Sequence, residues 1–164
     1  TYPLPEAAID RFMLKVRITY PTKDEEVQII DSALIGEEPK VDKVITPQDI
    51  MDTRSLINQI YIDEKLKHYI VSLANATRRP EEFGLNEIKG LIQYGASPRA
   101  SIYLAQAAKG HAFIRRRGYV IPEDVRAVAY EVLRHRIGLT YEAEAENIIT
   151  ENIITSIINA VEVP

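Results

Sequence analysis

The stretch Gly95-Ala96-Ser97-Pro98-Arg99 marks the start of a helix and guides the interpretation of the whole chain. Ser97 is a good N-cap, and Pro98 fits the first helical position, where a missing N–H costs nothing. Arg99 then falls in the first turn, where its charge faces the positive end of the helix macrodipole. That placement is favourable if an anion joins the arginine and the free N–H groups, and phosphate is the usual such anion. Position alone also allows a solvated arginine that tolerates a small penalty.

Helical patterns extend over most of the chain on both sides of this stretch. From Thr22 onward, apolar residues recur at helical spacing between capping and stop signals, which predicts a mainly α fold. The predicted helices cover residues 22–35, a segment opening at Thr46-Pro47, Asp63 to Arg79, Pro98 to about Arg116, Pro122 to about Arg136 and about Ala143 to Val161. Glu37 to Lys43 and Pro80 to Tyr94 are expected to be loops, the second with a short turn.

Each predicted helix has an apolar face that we expect to be buried. The inward residues are Val27, Ile30 and Leu34; Ile50, Leu56, Ile57 and Ile60; Leu66, Tyr69, Ile70, Leu73 and Ala74; Val125, Val128, Ala129, Val132 and Leu133; and a final stripe of Ile149, Ile153, Ile157 and Ala160 with Ile154, Ile158 and Val161 beside it. That last face is wide enough to bind a neighbouring subunit instead. The helix from Pro98 is rich in small residues, which permit close backbone approach, so we expect it at the centre of the bundle.

The first twenty residues have a different pattern. Pro5 to Met13 is predicted to be a short helix, and Leu14 to Tyr20 alternates apolar and polar residues as a half-buried strand does. This strand has no evident partner in the sequence, and a lone strand is not stable. We therefore expect residues 1–20 to be the last helix and strand of an α/β domain whose other strands lie upstream, and residues 21–164 to form a helical domain. The start at Thr1-Tyr2-Pro3, without Met, fits that expectation.

Composition excludes several classes of function. A net charge of −4 and a pI near 5.5 argue against a general nucleic-acid binder, whose footprint is usually basic. With no cysteine there is no disulfide framework, thiolate nucleophile or cysteine-based zinc site. The sequence has no apolar run near the roughly 18 residues that cross a bilayer and no signal peptide at its start. These features suit a cytoplasmic protein.

Several motifs, in one order along nearly the whole chain, closely resemble MoxR-type AAA+ ATPases. They are Tyr2-Pro3-Leu4-Pro5-Glu6-Ala7, Asp10-Arg11-Phe12, Gly95 through Ala105, Gly118-Tyr119-Val120, Pro122-Glu123-Asp124-Val125-Arg126 and Leu133-Arg134-His135-Arg136. The resemblance implies a helical-bundle AAA+ lid domain preceded by the last helix and strand of an α/β P-loop core. It also implies ATP hydrolysis that drives chaperone-like remodelling, a hexameric ring, and partners with von Willebrand A domains.

The resemblance assigns roles to two arginines. Arg99 corresponds to the sensor 2 arginine, which reaches the terminal phosphate of ATP from the lid. Arg11 corresponds to the arginine finger, which acts on the nucleotide of the neighbouring subunit. The phosphate-binding loop and the paired acids that hold Mg²⁺ are absent from this sequence, and in the family both precede the finger. We therefore expect ATP and Mg²⁺ as cofactors of the whole protein, and no ATPase activity from this chain alone.

Other interpretations of the charged residues stay open. Arg11 could form a local ion pair with Asp10, and the whole chain could be a helical interaction module without nucleotide contact. The cluster Arg115-Arg116-Arg117 could bind DNA, although cations are also favoured at a helix end. Histidines 68, 111 and 135 lie in different helices without metal-ligand spacing, so we assign no metal site.

Overall fold

The computed structural model describes residue 2, residues 4–36 and residues 40–164, and within them the predicted mainly α fold is confirmed. In chain order, the elements are α1 (Glu6–Ile9), α2 (Lys23–Ile35), α3 (Pro47–Gln59), α4 (Glu64–Ala76), a 3₁₀ turn (Pro80–Phe83), α5 (Asn86–Lys89), β1 (Ile92–Tyr94), α6 (Pro98–Ile114), α7 (Pro122–Leu133), β2 (Gly138–Leu139), α8 (Tyr141–Ala145) and α9 (Thr150–Ala160). The predicted loop Glu37 to Lys43 lies partly outside the described residues.

The core surrounds α6, as its small residues predicted. This helix contacts α3, α4 and α7, and it buries Ala100, Leu104, Ala107, Ala108 and Ala112. The predicted stripe of α4 is buried from Leu66 to Ala74, which confirms that prediction. In α9 the apolar face also packs into this core, so Ile153, Ile154, Ile157 and Ile158 are covered by the chain itself rather than offered to a neighbour.

The last helix was predicted as one element, which is wrong, because α8 and α9 are separated by a turn at residues 146–149. Asn147 has a φ of 58°, in the left-handed region that ends a helix. The N–H of Asn147 bonds the carbonyl of Glu144, and the N–H of Ile148 bonds that of Ala143. These two bonds satisfy carbonyls at the end of α8 and redirect the chain into α9.

The segment from Pro80 to Tyr94 is more regular than the predicted loop. It contains the 3₁₀ turn, α5 and β1, and β1 pairs antiparallel with β2 through Ile92 with Leu139 and Tyr94 with Gly138. These elements are three or four residues long, too short to show a periodic pattern. A side chain at Gly138 would strike the ring of Tyr94, so this glycine permits the close pairing.

Burial was predicted wrongly near the beginning of the chain. Helix α2 forms as expected, but none of its residues is buried, and Val27, Ile30 and Leu34 are all more than half exposed. In α3, Ile50 and Leu56 are also exposed, Ile57 is half-buried, and only the C-cap Ile60 enters the core.

The half-buried strand predicted at Leu14 to Tyr20 is likewise not found. The segment pairs with no strand in the described chain, and Val16, Ile18 and Tyr20 are largely exposed. A strand forms only where a partner supplies hydrogen bonds. The helix predicted before it is shorter than expected, because α1 ends at Ile9 rather than Met13.

No helix in the described ranges is both long enough and apolar enough to cross a bilayer.

Candidate functional site

The loop before α6 is locked onto the end of α4. A Cβ on Gly95 would strike the carbonyl group of Thr77 and lie 2.8 Å from Cγ of Arg78, so only glycine fits there. Ala96 is fully buried, and its N–H donates to the Thr77 hydroxyl over 2.9 Å. The Thr77 hydroxyl in turn donates to the carbonyl of Ala74. These contacts fix the position at which α6 begins.

Ser97 caps α6 and also contacts the N-terminal segment. Its hydroxyl oxygen accepts from the N–H of Arg99 at 3.2 Å, and the hydroxyl donates to Oδ2 of Asp10 at 2.8 Å. Nη1 of Arg99 lies 3.4 Å from the same carboxylate oxygen. The anion expected at the head of this helix is therefore, in this structure, the carboxylate of Asp10.

Arg136 is the most deeply buried cation around Asp10. It is 3% exposed, and its Nε donates to Oδ1 of Asp10 at 3.0 Å. It also donates to four carbonyl groups: Asp10 at 2.9 Å, Phe12 at 2.5 Å, Met13 at 3.3 Å, and Val132 near the end of α7. Burial lowers the pKa of Arg136 and the Asp10 carboxylate opposes that effect. Removing Asp10 would leave a buried charge without its counter-ion.

Arg134 and His135, which precede Arg136 in the chain, contact the backbone of residues 12–15 in the N-terminal part of the chain. Nη1 of Arg134 donates to the carbonyl of Lys15 at 2.7 Å, and the N–H of Lys15 donates to the carbonyl of Glu131. Nε2 of His135 lies 2.9 Å from the carbonyl oxygen of Phe12 and 2.7 Å from Nη1 of Arg136. A neutral imidazole can satisfy one of these contacts at a time. Burial lowers the pKa of His135, and the charge of Arg136 lowers it further, which favours the neutral ring.

Arg11 lies within residues 10–15, whose backbone is contacted by Arg134, His135 and Arg136. Its carbonyl accepts from the hydroxyl of Tyr103 at 3.1 Å, while its side chain is exposed and makes no ion pair within the described residues. The local pair with Asp10 is not formed, because Asp10 is bound to Ser97, Arg99 and Arg136. The backbone of Arg11 is thus fixed and its guanidinium faces outward.

A cavity of about 280 Å³ adjoins this cluster. Its walls include Glu6, Asp10, Ser97, His135 and Arg136; Arg99 is not among them, although it contacts Asp10. A larger open groove of about 1140 Å³ lies between residues 17–21 and α2, and neither Asp10 nor any residue that contacts its carboxylate lines this groove.

One arginine of the basic cluster at the end of α6, Arg117, has a structural role. Arg117 forms two bonds of 2.7 and 2.5 Å to the fully buried carboxylate of Asp124, and His111 Nδ1 lies 2.7 Å from the same group. Arg116 has a left-handed φ of 58° at the turn out of α6. One of the three cations proposed for DNA is thus neutralised. Among the described residues, no group of three or more histidine or acidic side chains could hold a metal ion.

Asp124 also takes part in the cap of α7. Ile121 has no side chain that can cap, and its N–H instead donates to Oδ2 of Asp124 at 2.9 Å. Burial raises the pKa of Asp124, but bonds from Arg117, the Ile121 N–H and His111 outweigh it and lower the pKa to about 2.

Sequence reasoning predicted roles for Arg99 and Arg11 but missed the residues that contact them. Arg134, His135 and Arg136 were noted as part of a motif that resembles the family and as the end of a predicted helix, and Asp10 as part of another such motif and as a possible partner of Arg11, but no role in the site was assigned to any of them. The one available signal was a run of three basic residues beyond the apolar part of α7.

Comparison with known proteins yields consistent matches. The family model described as the AAA lid domain matches residues 86–157. Chaperone MoxR1 of Mycobacterium tuberculosis is 39% identical over 163 residues, and the uncharacterized protein YeaC of Bacillus subtilis is 37% identical over 166 residues. A crystal structure of a "putative ATPase" from Cytophaga hutchinsonii matches with a TM-score of 0.94 at 44% identity.

The two relatives and the solved structure align with nearly all of this chain, which spans about half the length of each of them. The alignment spans 99% of the chain and 43% of MoxR1, and 100% of the chain and 49% of YeaC. The structural match spans 99% of the chain and 50% of the solved chain.

Proposed function

We propose that this chain, a member of the MoxR-type AAA+ ATPases, forms the lid side of an ATP site in a protein that remodels partner proteins. In this proposal residues 1–20 are the end of the ATPase core and residues 21–164 are the lid. The chain contributes residues to ATP binding and hydrolysis but has no phosphate-binding loop in its sequence. By itself it is expected to be inactive.

The observation that carries the proposal is the oxyanion-binding head of α6. Ser97 and Arg99 together hold the carboxylate of Asp10, at 2.8 and 3.4 Å. A helix N-terminus with an arginine in its first turn suits an anion, and phosphate oxygens suit a guanidinium in the same way as carboxylate oxygens do. Arg99 is 45% exposed, so its side chain is accessible to a ligand.

We assign Arg99 to the terminal phosphate of ATP as sensor 2, and Arg11 to the nucleotide of the adjacent subunit as arginine finger. An arginine finger needs a fixed backbone and a free guanidinium. Arg11 has both in the described part of the chain, because Tyr103 holds its carbonyl and its side chain is exposed. When ATP is bound, it supplies the phosphoanhydride bond that is hydrolysed. The ligands of Mg²⁺ are expected outside this sequence.

The assembly and partners are extensions of the family likeness. A finger that acts in trans requires a ring of subunits, for which we propose a hexamer. Proteins with von Willebrand A domains are the proposed partners. We propose the cytoplasm as the location.

The test is ATP binding and turnover of the full-length protein with Arg99→Ala and Arg11→Ala. Loss of a charge-assisted phosphate contact at Arg99 should weaken ATP affinity about tenfold or more. Loss of the finger should lower the turnover rate by on the order of 10³ with little change in ATP affinity. Unchanged affinity and turnover in Arg99→Ala would overturn the assignment and favour the interaction module without nucleotide contact.

The matched control is Arg115→Ala. Arg115 is an exposed arginine at the opposite end of α6, where it makes no side-chain ion pair in the described chain. Its removal should leave ATP affinity and turnover unchanged. A loss equal to that of Arg99→Ala would show that general charge, rather than position, is responsible.

A further inference from the structure

Asp10 connects the two arginines that the proposed function requires. It directly precedes Arg11 in the chain, and its carboxylate contacts Ser97 and Arg99 across 87 and 89 positions of sequence. The third contact of this carboxylate is Nε of Arg136. Asp10 is therefore the one residue of the described chain that is adjacent to Arg11 in sequence and contacts Arg99 through its side chain.

The backbone around Arg11 accepts hydrogen bonds from the same network. Arg136 donates to the carbonyls of Asp10, Phe12 and Met13, and Tyr103 donates to the carbonyl of Arg11. The carbonyls of four consecutive residues thus accept bonds from two side chains. The guanidinium carbon of Arg136 also lies 4.9 Å from the ring centroid of Tyr103, so these two side chains support each other.

Tyr103 links this network to the head of α6. It lies four residues after Arg99 on the same helix, so the two side chains occupy one face about one turn apart. A shift of this end of α6 therefore acts on Asp10 through Arg99 and Ser97, and on the Arg11 carbonyl through Tyr103.

The contact with Arg99 is the one that a ligand can exchange. At 3.4 Å it is longer than the contacts of Asp10 with Ser97, at 2.8 Å, and with Arg136, at 3.0 Å. Arg99 is 45% exposed, whereas the side chain of Arg136 is 1% exposed. An anionic ligand would compete with Asp10 for Arg99 while Arg136 keeps its hold on the carboxylate.

We propose that Asp10 is a positioning residue that couples Arg99 to Arg11, so that an anion bound at Arg99 alters the placement of the Arg11 guanidinium. This inference rests on the proposed function. In a ring, Arg99 serves the nucleotide of its own subunit and Arg11 serves that of the next one. The coupling then transmits nucleotide occupancy from one site to its neighbour through a single subunit.

The test is the cooperativity of ATP hydrolysis in the full-length protein with Asp10→Asn. Asparagine keeps the size of the side chain and a carbonyl oxygen for Ser97 but removes the charge that holds Arg99. We expect a Hill coefficient for ATP well above 1 in the unmodified protein and a decrease to about 1 in the variant. A merely structural role would lower stability or turnover without changing the Hill coefficient.

A second variant tests the same coupling without altering any charge. Tyr103→Phe removes only the hydroxyl that bonds the Arg11 carbonyl and keeps the ring beside Arg136. It should also lower the Hill coefficient. The matched control is Tyr130→Phe, which removes a hydroxyl on α7 that bonds Thr155 of α9 and should leave the Hill coefficient unchanged.

The outcomes separate this inference from the proposed function. If Arg99→Ala and Arg11→Ala have their expected effects while Asp10→Asn and Tyr103→Phe keep the Hill coefficient of the unmodified protein, the coupling is wrong and the function stands. A Hill coefficient of about 1 in the unmodified protein also overturns the coupling. If neither arginine variant changes ATP binding or turnover, the proposed function fails and the coupling fails with it.

Discussion

Helices α2 and α6 both begin with a hydroxyl cap, but α2 is exposed to solvent and α6 is packed in the core. Thr22 caps α2 with a full capping box, because its N–H bonds the carboxylate of Glu25 at 2.7 Å, and Gly36 ends the helix in the left-handed region. Helix α6 has only its Ser97 cap and a cation in its first turn. Yet α2 buries none of its residues, whereas α6 buries five.

The difference shows that capping and burial are separate properties. A cap stabilises the first turn of a helix whether or not the helix packs against anything. Burial requires partners elsewhere in the chain, and α6 has them in α3, α4 and α7. Most of the free energy of unfolding should therefore reside in the helices around α6.

The largest expected effect compares one leucine from each helix. Leu104 of α6 is fully buried, and Leu34 of α2 is 81% exposed. Leu104→Ala should lower the free energy of unfolding by about 3 kcal/mol, because it removes apolar contacts and leaves a cavity. Leu34→Ala should change it by less than about 0.5 kcal/mol. Urea unfolding followed by circular dichroism measures both, and equal losses would refute the contrast.

Replacing Gly95 just before α6 and replacing Gly110 inside α6 by alanine should change the free energy of unfolding in opposite directions. Gly95→Ala would drive a Cβ into the backbone of Thr77, so we expect a loss of about 2 to 3 kcal/mol. Gly110 lies inside α6 with open space around it, and Gly110→Ala should add up to about 1 kcal/mol. Thermal unfolding of the two variants should therefore show shifts in opposite directions. A gain from Gly95→Ala would mean that the loop is not locked to α4.

Acid should destabilise the packed helices more than α2, because the carboxylates at the third position of α7 and of α2 differ in burial. The pKa of buried Asp124 is lowered to about 2 from an ordinary value of 3.8, so its charge stabilises the folded state fully above that ordinary value. The stabilisation, about 2 kcal/mol, is lost as the pH falls from about 5 through 2. In Asp124→Asn, the free energy of unfolding should depend less steeply on pH in this window than in the unmodified chain.

The corresponding control is Glu25→Gln. Hydrogen bonds from Thr22 also lower the pKa of Glu25, but its carboxylate is fully exposed. The slope of stability against pH should therefore be nearly the same as in the unmodified chain. A larger change in Glu25→Gln than in Asp124→Asn would reverse the proposed order.

The smallest effect is the cap of α2 itself. Thr22→Ala should weaken α2 locally by about 1 kcal/mol, seen as faster amide exchange in residues 23–35. The global unfolding midpoint should stay unchanged because α2 does not belong to the core. Ser97→Ala should instead lower that midpoint, since it removes a cap and the bond to Asp10 together. A shift of the global midpoint by Thr22→Ala would show that α2 is packed after all.

Local signals were sufficient to predict several parts of the fold. Ser97 and Pro98 located the start of α6, and the apolar stripe of α4 was predicted residue by residue. The break before α9 was missed although Asn147 offered a signal, because asparagine tolerates the left-handed region that ends a helix. The strands β1 and β2 are too short to have any periodic signal.

The candidate site could be predicted only in part, for a physical reason. Arg99 was chosen as a candidate from its position in a helix and from a family likeness, both of which are local in sequence. The contacts that hold the site join Asp10 to Ser97 and to Arg136, which are 87 and 126 positions away. No spacing rule relates residues so far apart, because their proximity depends on how α6 and α7 pack.

The alternating segment from Leu14 to Tyr20 has a practical consequence for anyone who prepares this chain in isolation. Beyond Lys15, residues 16–20 exchange no backbone hydrogen bonds with the rest of the described chain, and Val16, Ile18 and Tyr20 are largely exposed. Exposed apolar segments with unpaired backbone N–H and C=O groups can pair with the same segment of other copies, and the result is aggregation. Attachment of a solubilising fusion partner ahead of this segment, or a lysine in place of Ile18, is the sensible precaution when the chain is expressed alone.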